Sequence, residues 1–155
     1  MKPTKTYTVQ EALLKLSKYC TYQDRCHAEV EQKLREMKMI PEARHQIISE
    51  LIKHDFLNEQ RFALNYARGK FNQKHWGRIR IRQELKRRHI TEKLIKKALD
   101  QISDKEYHSK LKLLVAKKCK ELNYDNSLKS KSRLKNYLTY KGFESHLVYD
   151  QINLL

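Results

Sequence analysis

Glycine and proline are nearly missing from this chain, at three and two in 155 residues. That scarcity excludes collagen-like and turn-rich β architectures. With abundant Lys, Glu, Leu, Ile and Gln it leaves helix as the favoured state throughout. No run of about 18 apolar residues occurs, so nothing is expected to span a membrane. The start, MKPTKTYTVQ, lacks the apolar stretch of a secretory signal, and a cytoplasmic location is expected. Cysteine is sparse and odd in number, and Cys20, Cys26 and Cys119 form no CxxC pair. They read as reduced, buried or half-buried thiols. A zinc set of Cys20, Cys26, His27 and His54 is disfavoured by its C-x5-C spacing. Catalytic signatures are absent as well. There is no GxxxxGK phosphate loop, no HExxH, no Gly-flanked nucleophile and no carboxylate cluster suited to magnesium. The seven histidines are dispersed. No enzyme activity, cofactor or metal is expected.

Acidic residues are scarce in one place. Between Arg68 and Lys97 there are twelve Lys and Arg but only two acids, Glu84 and Glu92. The stretch therefore carries +10 of the chain's +16, against +2 for residues 1–67 and +4 for residues 98–155. So local a positive charge repels itself and is relieved by an anionic partner, a nucleic-acid backbone or an acidic protein groove.

What is present is a repeat. VEQKLREMKMIPEARHQIISEL from Val30, IRQELKRRHITEKLIKKALDQI from Ile81 and LKNYLTYKGFESHLVYDQINLL from Leu134 align by their apolar positions. Two apolar residues four apart (Val30/Leu34, Ile81/Leu85, Leu134/Leu138) precede a basic or polar run. An apolar residue (Ile40, Ile90, Phe143) then marks a turn before a second apolar helix. The anchor leucines 34, 85 and 138 set a period of 51 and then 53 residues, with room for three helices each.

Helices are expected over Val9–Tyr19 behind Thr8, over Asp24–Met37, and from Pro41 to about His54. Asn58 caps the next, with Phe62, Ala63, Tyr66 and Ala67 inward. Gly77 opens the basic helix, and Thr91 caps one with Leu94, Ile95, Ala98 and Leu99 inward. The last period reads as Asp104–Leu122, a polar loop NYDNSLKSKS, then Lys131–Tyr140 ended by a left-handed Gly142 and Glu144–Asn153. No segment alternates with period two. The fold class is all-α, three tandem three-helix, helix-turn-helix-like repeats in an elongated curved array. The modules are 1–56, a strongly basic 57–102, and 103–155.

On a wheel of about 100° per residue, Ile81 and Leu85 point inward from Gly77–His89 and Arg80, Gln83, Lys86 and Arg87 point out. Arg78, Arg82 and Arg88 flank the seam, and Ile79 sits exposed among the charges. Glu84 can pair with Arg80 or Arg88. Trp76, at the mouth of this helix, packs between helices or offers a stacking face, and Tyr137 and Tyr140 pose the same choice. The candidate partner-binding residues are Arg61, Arg68, Lys70, Lys74, Trp76, Arg78, Arg80, Arg82, Lys86, Arg87, Arg88, Lys131, Arg133, Lys135 and Lys141. A face rich in Arg and Lys and poor in Asn, Gln and Ser favours backbone contact over base reading. No dimerisation element is visible, and a monomer is expected.

The segment FLNEQRFALNYARGKFNQKHWGRIRIRQELKRRHI, Phe56–Ile90, resembles the signature region of the RecX family of recombinase regulators. An aromatic-Leu-acidic turn carries the resemblance, with Arg61–Phe62–Ala63, Gly77, the run Arg80–Leu85 and a turn ending in Ile90. The flanking repeats are similar to that family too. Two departures stand out. Asn58–Glu59 replaces a pair of acids, and His89 replaces a glycine, so a left-handed turn at 89 is expected to be less comfortable. The resemblance implies a non-enzymatic protein that binds the RecA filament on single-stranded DNA, or duplex DNA as well. Such proteins restrain strand exchange, ATP hydrolysis and co-protease activity. The alternatives are a stand-alone helical nucleic-acid-binding protein and a helix-turn-helix transcription regulator.

Overall fold

The computed structural model describes residues 5–155. Within them every regular element is helical. They are α1 (Val9–Tyr22), α2 (His27–Glu36), α3 (Pro41–Lys53), α4 (Glu59–Gly69), α5 (Arg78–Arg87), α6 (Glu92–Asp100), α7 (Asp104–Leu122), α8 (Leu128–Lys141) and α9 (Ser145–Asn153). A π-helical turn, Lys70–Lys74, extends α4. Among the described residues no helix is long and apolar enough to cross a membrane.

The repeat is written in the turns. Val30, Leu34, Ile81, Leu85, Leu134 and Leu138 are all fully buried. Four residues after each anchor leucine the backbone turns left-handed, at Lys38 (φ 58°), His89 (φ 58°) and Gly142 (φ 98°). The amide of the next residue then donates to the anchor leucine's carbonyl: Met39 to Leu34 at 3.1 Å, Ile90 to Leu85 at 3.1 Å and Phe143 to Leu138 at 3.2 Å. This is the Schellman closure, which satisfies the helix's orphan carbonyls and drops an apolar side chain into the core. Met39, not Ile40, is therefore the turn residue of the first repeat. Ile40 is exposed and stands at the N-cap of α3. His89 adopts the left-handed turn despite its side chain, because the closure and the burial of Ile90 offset the strain of about 1–2 kcal/mol.

Other boundaries moved for local reasons. α1 runs on to Tyr22, and α2 starts at His27 behind Cys26 rather than at Asp24, whose carboxylate is engaged elsewhere. α8 starts at Leu128, three residues early, because Ser127 accepts from the Ser130 amide and Asp125 accepts from the Ser127 amide and the Ser130 hydroxyl. Thr91 stands at the N-cap of α6 without a side-chain capping bond. Thr8 does better than expected and forms a full capping box with Glu11.

Two cores result. One joins α1–α3 around Leu16, Leu34, Ile47 and Leu51. The other runs continuously through α4–α9 and takes in Cys26. At the centre of the second, Tyr107 packs between Phe71 (6.0 Å) and Phe143 (5.1 Å). Its hydroxyl accepts from the Arg78 amide at 2.9 Å and donates to Glu144. Burial, then the Glu144 carboxylate, pushes the Tyr107 phenol up. Burial likewise raises the Cys26 thiol to about 12, so it stays protonated. The surface, 10226 Å², exceeds the about 8,300 Å² of a compact protein of 18.7 kDa, as an extended array requires.

The second and third repeats are joined at two glycines. The Gly77 amide donates to the Lys141 carbonyl at 2.7 Å, and the Ile79 amide to the Gly142 carbonyl at 3.0 Å. A Cβ on Gly77 would lie 2.3 Å from the Gly142 oxygen. Gly69, by contrast, faces nothing within 4 Å. Replacing Gly77 with Ala is expected to cost about 3 kcal/mol through overpacking. Gly69→Ala is expected to add about 0.5–1 kcal/mol by removing unfolded-state freedom. Urea midpoints should rank Gly69→Ala above the parent and Gly77→Ala below it; the reverse order would show that the joint is slack.

Candidate nucleoprotein interface

Helix α5 is seated by that joint. Ile81 and Leu85 lock its inner face, and Gly77 brings its first turn against the end of α8. The outer face is fixed relative to α8, and a groove opens between them. Ile79, Arg80, Gln83 and Arg87 line one wall, and Thr139, Tyr140 and Ser145 the other. Ile79 is exposed there, as its wheel position requires.

Arg80 is the centre of the groove. Its guanidinium lies 4.2 Å from the Trp76 ring and 4.6 Å from the Tyr140 ring, with an Nη1 contact to the Tyr140 carbonyl at 3.4 Å. Two rings thus hold one cation without a carboxylate, and Glu84 pairs with Arg87 and Arg88 instead. Trp76 does both jobs considered for it. It packs edge-on against Tyr66 at 6.5 Å and presents a face to Arg80 and to Lys70, at 5.1 Å. Each stacked cation contributes about 0.5–1 kcal/mol and is held in a fixed orientation.

The remaining candidates divide by partner. Arg61 is committed internally: its Nε donates to Asp24 at 2.8 Å and its Nη1 to Asp55 at 3.0 Å, with further bonds to the Asp55 and Phe56 carbonyls. Arg68 pairs with Glu106 at 2.7 Å and donates to the Gln101 carbonyl. Arg78 pairs with Asp104 at 3.0 Å and stacks on Tyr107. Arg82 and Lys86 share Glu92, and Arg87 and Arg88 share Glu84. Arg87 stays the most open of these, with 74% of its side chain exposed. Lys135 lies over Tyr149 at 5.6 Å, and Lys131 and Arg133 sit on outer turns of α8.

A second group of cations joins two of the sequence candidates, Lys74 and Lys141, to three residues that the sequence did not single out, His75, Lys110 and Lys117. Lys74, His75, Lys110 and Lys141 come together where the π-helical turn meets α7 and α8, and Lys117 lies two turns along α7 from Lys110. Lys110 Nζ is 3.1 Å from His75 Nδ1, and Lys141 Nζ donates to the Lys74 carbonyl at 3.0 Å. Burial, then Lys110, Lys141 and Lys117, holds the His75 imidazole below its ordinary range. Burial, then Arg80, with Lys74 and Lys117 beyond, pushes Lys141 down. Lys110 and Lys117 are seven apart and so share a helix face. That spacing was the one available signal, among too many α7 lysines to single them out.

Residues 58–99 match the family model described as RecX, second three-helix domain. Regulatory protein RecX of Bacillus cytotoxicus is 29% identical over 140 residues, 90% of this chain and 52% of that protein. The Oceanobacillus iheyensis protein of the same name is 28% identical over 141 residues, 91% and 52%. The chain spans about half the length of the curated relatives it matches. The crystal structure of RecX from Lactobacillus salivarius superposes with a TM-score of 0.82 at 25% identity, covering 95% of this chain and 97% of that one. A second crystal structure, of regulatory protein RecX, gives 0.83 at 26% identity, with 95% and 72% covered.

The internal role of Arg61 is open to test. Its guanidinium ties Asp24, ahead of α2, to Asp55 and the start of α4, so truncation removes the cation shared by two carboxylates and the donor to two carbonyls. Arg61→Ala is expected to cost about 1–3 kcal/mol and to lower the melting temperature by about 3–6 °C. Arg87→Ala should leave melting unchanged. Equal melting of the two variants would show that the Asp24 tie contributes nothing.

Proposed function

We propose that this chain, which belongs to the RecX family, is a non-catalytic cytoplasmic regulator of the RecA recombinase filament on single-stranded DNA. In this reading it binds the filament as a monomer and restrains ATP hydrolysis, strand exchange and co-protease activity. Its three modules, 1–56, 57–102 and 103–155, lie along the filament, with the basic middle one at the contact. The observation that carries the reading is the α5–α8 groove. Arg80 is preset between Trp76 and Tyr140 beside an exposed Ile79. A cation held by rings with no counter-ion, next to an apolar side chain, suits an acidic protein surface with an apolar spot. An aromatic-anchored arginine is the kind of group that dominates interface energy.

The pairing of Lys86 with Glu92 and Arg87 with Glu84 makes these positions cheap to change, since exposed pairs contribute about 0–1 kcal/mol. The triple change Arg80→Glu, Lys86→Glu, Arg87→Glu is expected to keep the helices, at a cost of about 1–2 kcal/mol from the two ring contacts of Arg80, while relieving inhibition of recombinase ATP hydrolysis and strand exchange. Arg87→Glu alone, at an open position, should relieve it in part with unchanged melting. If the parent chain leaves both activities untouched at stoichiometric amounts, the reading fails. If the triple variant unfolds, the α5 face is structural.

A further inference from the structure

We propose that Lys74, His75, Lys110, Lys117 and Lys141 form a phosphate-binding recess that holds the backbone of a single nucleic-acid strand, leaving the α5–α8 groove for protein. This assignment of the two surfaces rests on the function proposed above. The strand contact itself does not, and it is measurable without recombinase.

The two cationic surfaces differ in kind. Along α5 the positive charges meet Glu84 of the same helix and Glu92 at the start of α6, which take up Arg82, Lys86, Arg87 and Arg88. An exposed Ile79 lies among them. Mixed charge with an apolar centre is the chemistry of a protein surface. The recess has no carboxylate of its own. The charges that act on His75 are Lys110, Lys141 and Lys117, and those that act on Lys141 are Arg80, Lys74 and Lys117, with the Tyr140 hydroxyl beside them. The acids of the surrounding elements are spent on other cations: Asp104 on Arg78, Glu106 on Arg68 and Glu121 on Lys118. Lysines drawn from three elements around one imidazole repel one another, and folding alone gives no reason to gather them.

Several features select a nucleic-acid strand as the occupant. Lys110 and Lys117 are two turns apart on α7, about 10 Å along the helix, so the row can meet more than one backbone phosphate. Lysine offers point charges without fork geometry, which suits backbone contact of any sequence. An aromatic ring lies alongside: Lys141 and Lys118 sit over Tyr137 at 5.9 and 4.6 Å. Cations interleaved with stacking faces are what a single strand uses.

The imidazole adds a proton linkage. The Lys110 ammonium can only donate, so Nδ1 of His75 accepts and the neutral ring carries its proton on Nε2. Burial first and the lysine charges second hold the ring below its ordinary range; a bound phosphate offsets the lysine charges and so raises its pKa. Binding then takes up a proton. Affinity is greatest where the ring is protonated and falls as pH rises through the interval between the free and bound values.

The test uses the full chain, a labelled oligo-dT and fluorescence anisotropy. Lys110→Ala with Lys117→Ala is expected to weaken binding about tenfold and to flatten the salt dependence by about 0.7 for each phosphate no longer neutralised. Parent affinity should be higher at about pH 5.5 than at about pH 8, on either side of the imidazole range. His75→Asn, which tolerates the left-handed backbone at φ 57°, should shrink that difference. Unchanged melting temperatures show that the variants fold. Parent-like affinity and salt slope in the double lysine variant would overturn the proposal. So would a polyglutamate peptide that binds the parent as tightly as oligo-dT and loses affinity with the same changes, which would make the recess a seat for acidic protein. If the double variant loses oligo-dT but the parent does not inhibit recombinase, the strand contact stands and the regulatory role falls. Inhibition without any loss of oligo-dT gives the converse.

Discussion

The close approach of Gly77 to Gly142 is the contact on which the rest of the molecule's second half depends. It lets two amides at the start of α5, at 77 and 79, reach the last carbonyls of α8. Orphan donors at one helix start thereby satisfy orphan acceptors at another helix end. That single joint orients the outer face of α5, brings Tyr140 over Arg80, and sets Lys141 against the Lys74 carbonyl. It also explains why one repeat ends in glycine. Lys38 and His89 make the same turn at φ 58°, so the turn alone does not demand it. At 142 φ reaches 98°, and a Cβ would lie 2.4 Å from the Arg80 Cβ. Glycine is required there by the neighbouring helix as much as by its own backbone.

The array was legible in the sequence because apolar spacing is a local property that survives in every repeat. Val30/Leu34, Ile81/Leu85 and Leu134/Leu138 needed no tertiary knowledge to be placed inside. The turn residue of the first repeat was ambiguous because Met39 and Ile40 are both apolar, and only the left-handed position of Lys38 decides between them. The π-helical turn was invisible for a related reason. One extra residue per turn leaves the composition helical, and the left-handed His75 that ends it carries no sequence mark. The Glu84–Arg88 pair, four apart on one helix, was readable. Arg61 with Asp24, Arg68 with Glu106 and Arg78 with Asp104 were not, because they link elements whose register is fixed only by packing.

Those long-range pairs change the meaning of the +10 stretch. Counted along the chain it is a block of uncompensated charge. In space its flanking arginines, Arg68 and Arg78, meet acids of the third module, and its outer helix meets the two acids inside the stretch. What is left over is Arg80 on α5, Lys93, Lys96 and Lys97 on α6, and Lys70 and Lys74 at the π-helical turn, where Lys110 and Lys141 join it. The cluster at the π-helical turn therefore draws part of its charge from outside the +10 stretch. A strand attracted to that cluster would lie across the joint between the second and third repeats, beside Tyr137. The Arg80 groove would stay clear for another surface, and both sites would be held in register by the same pair of glycines.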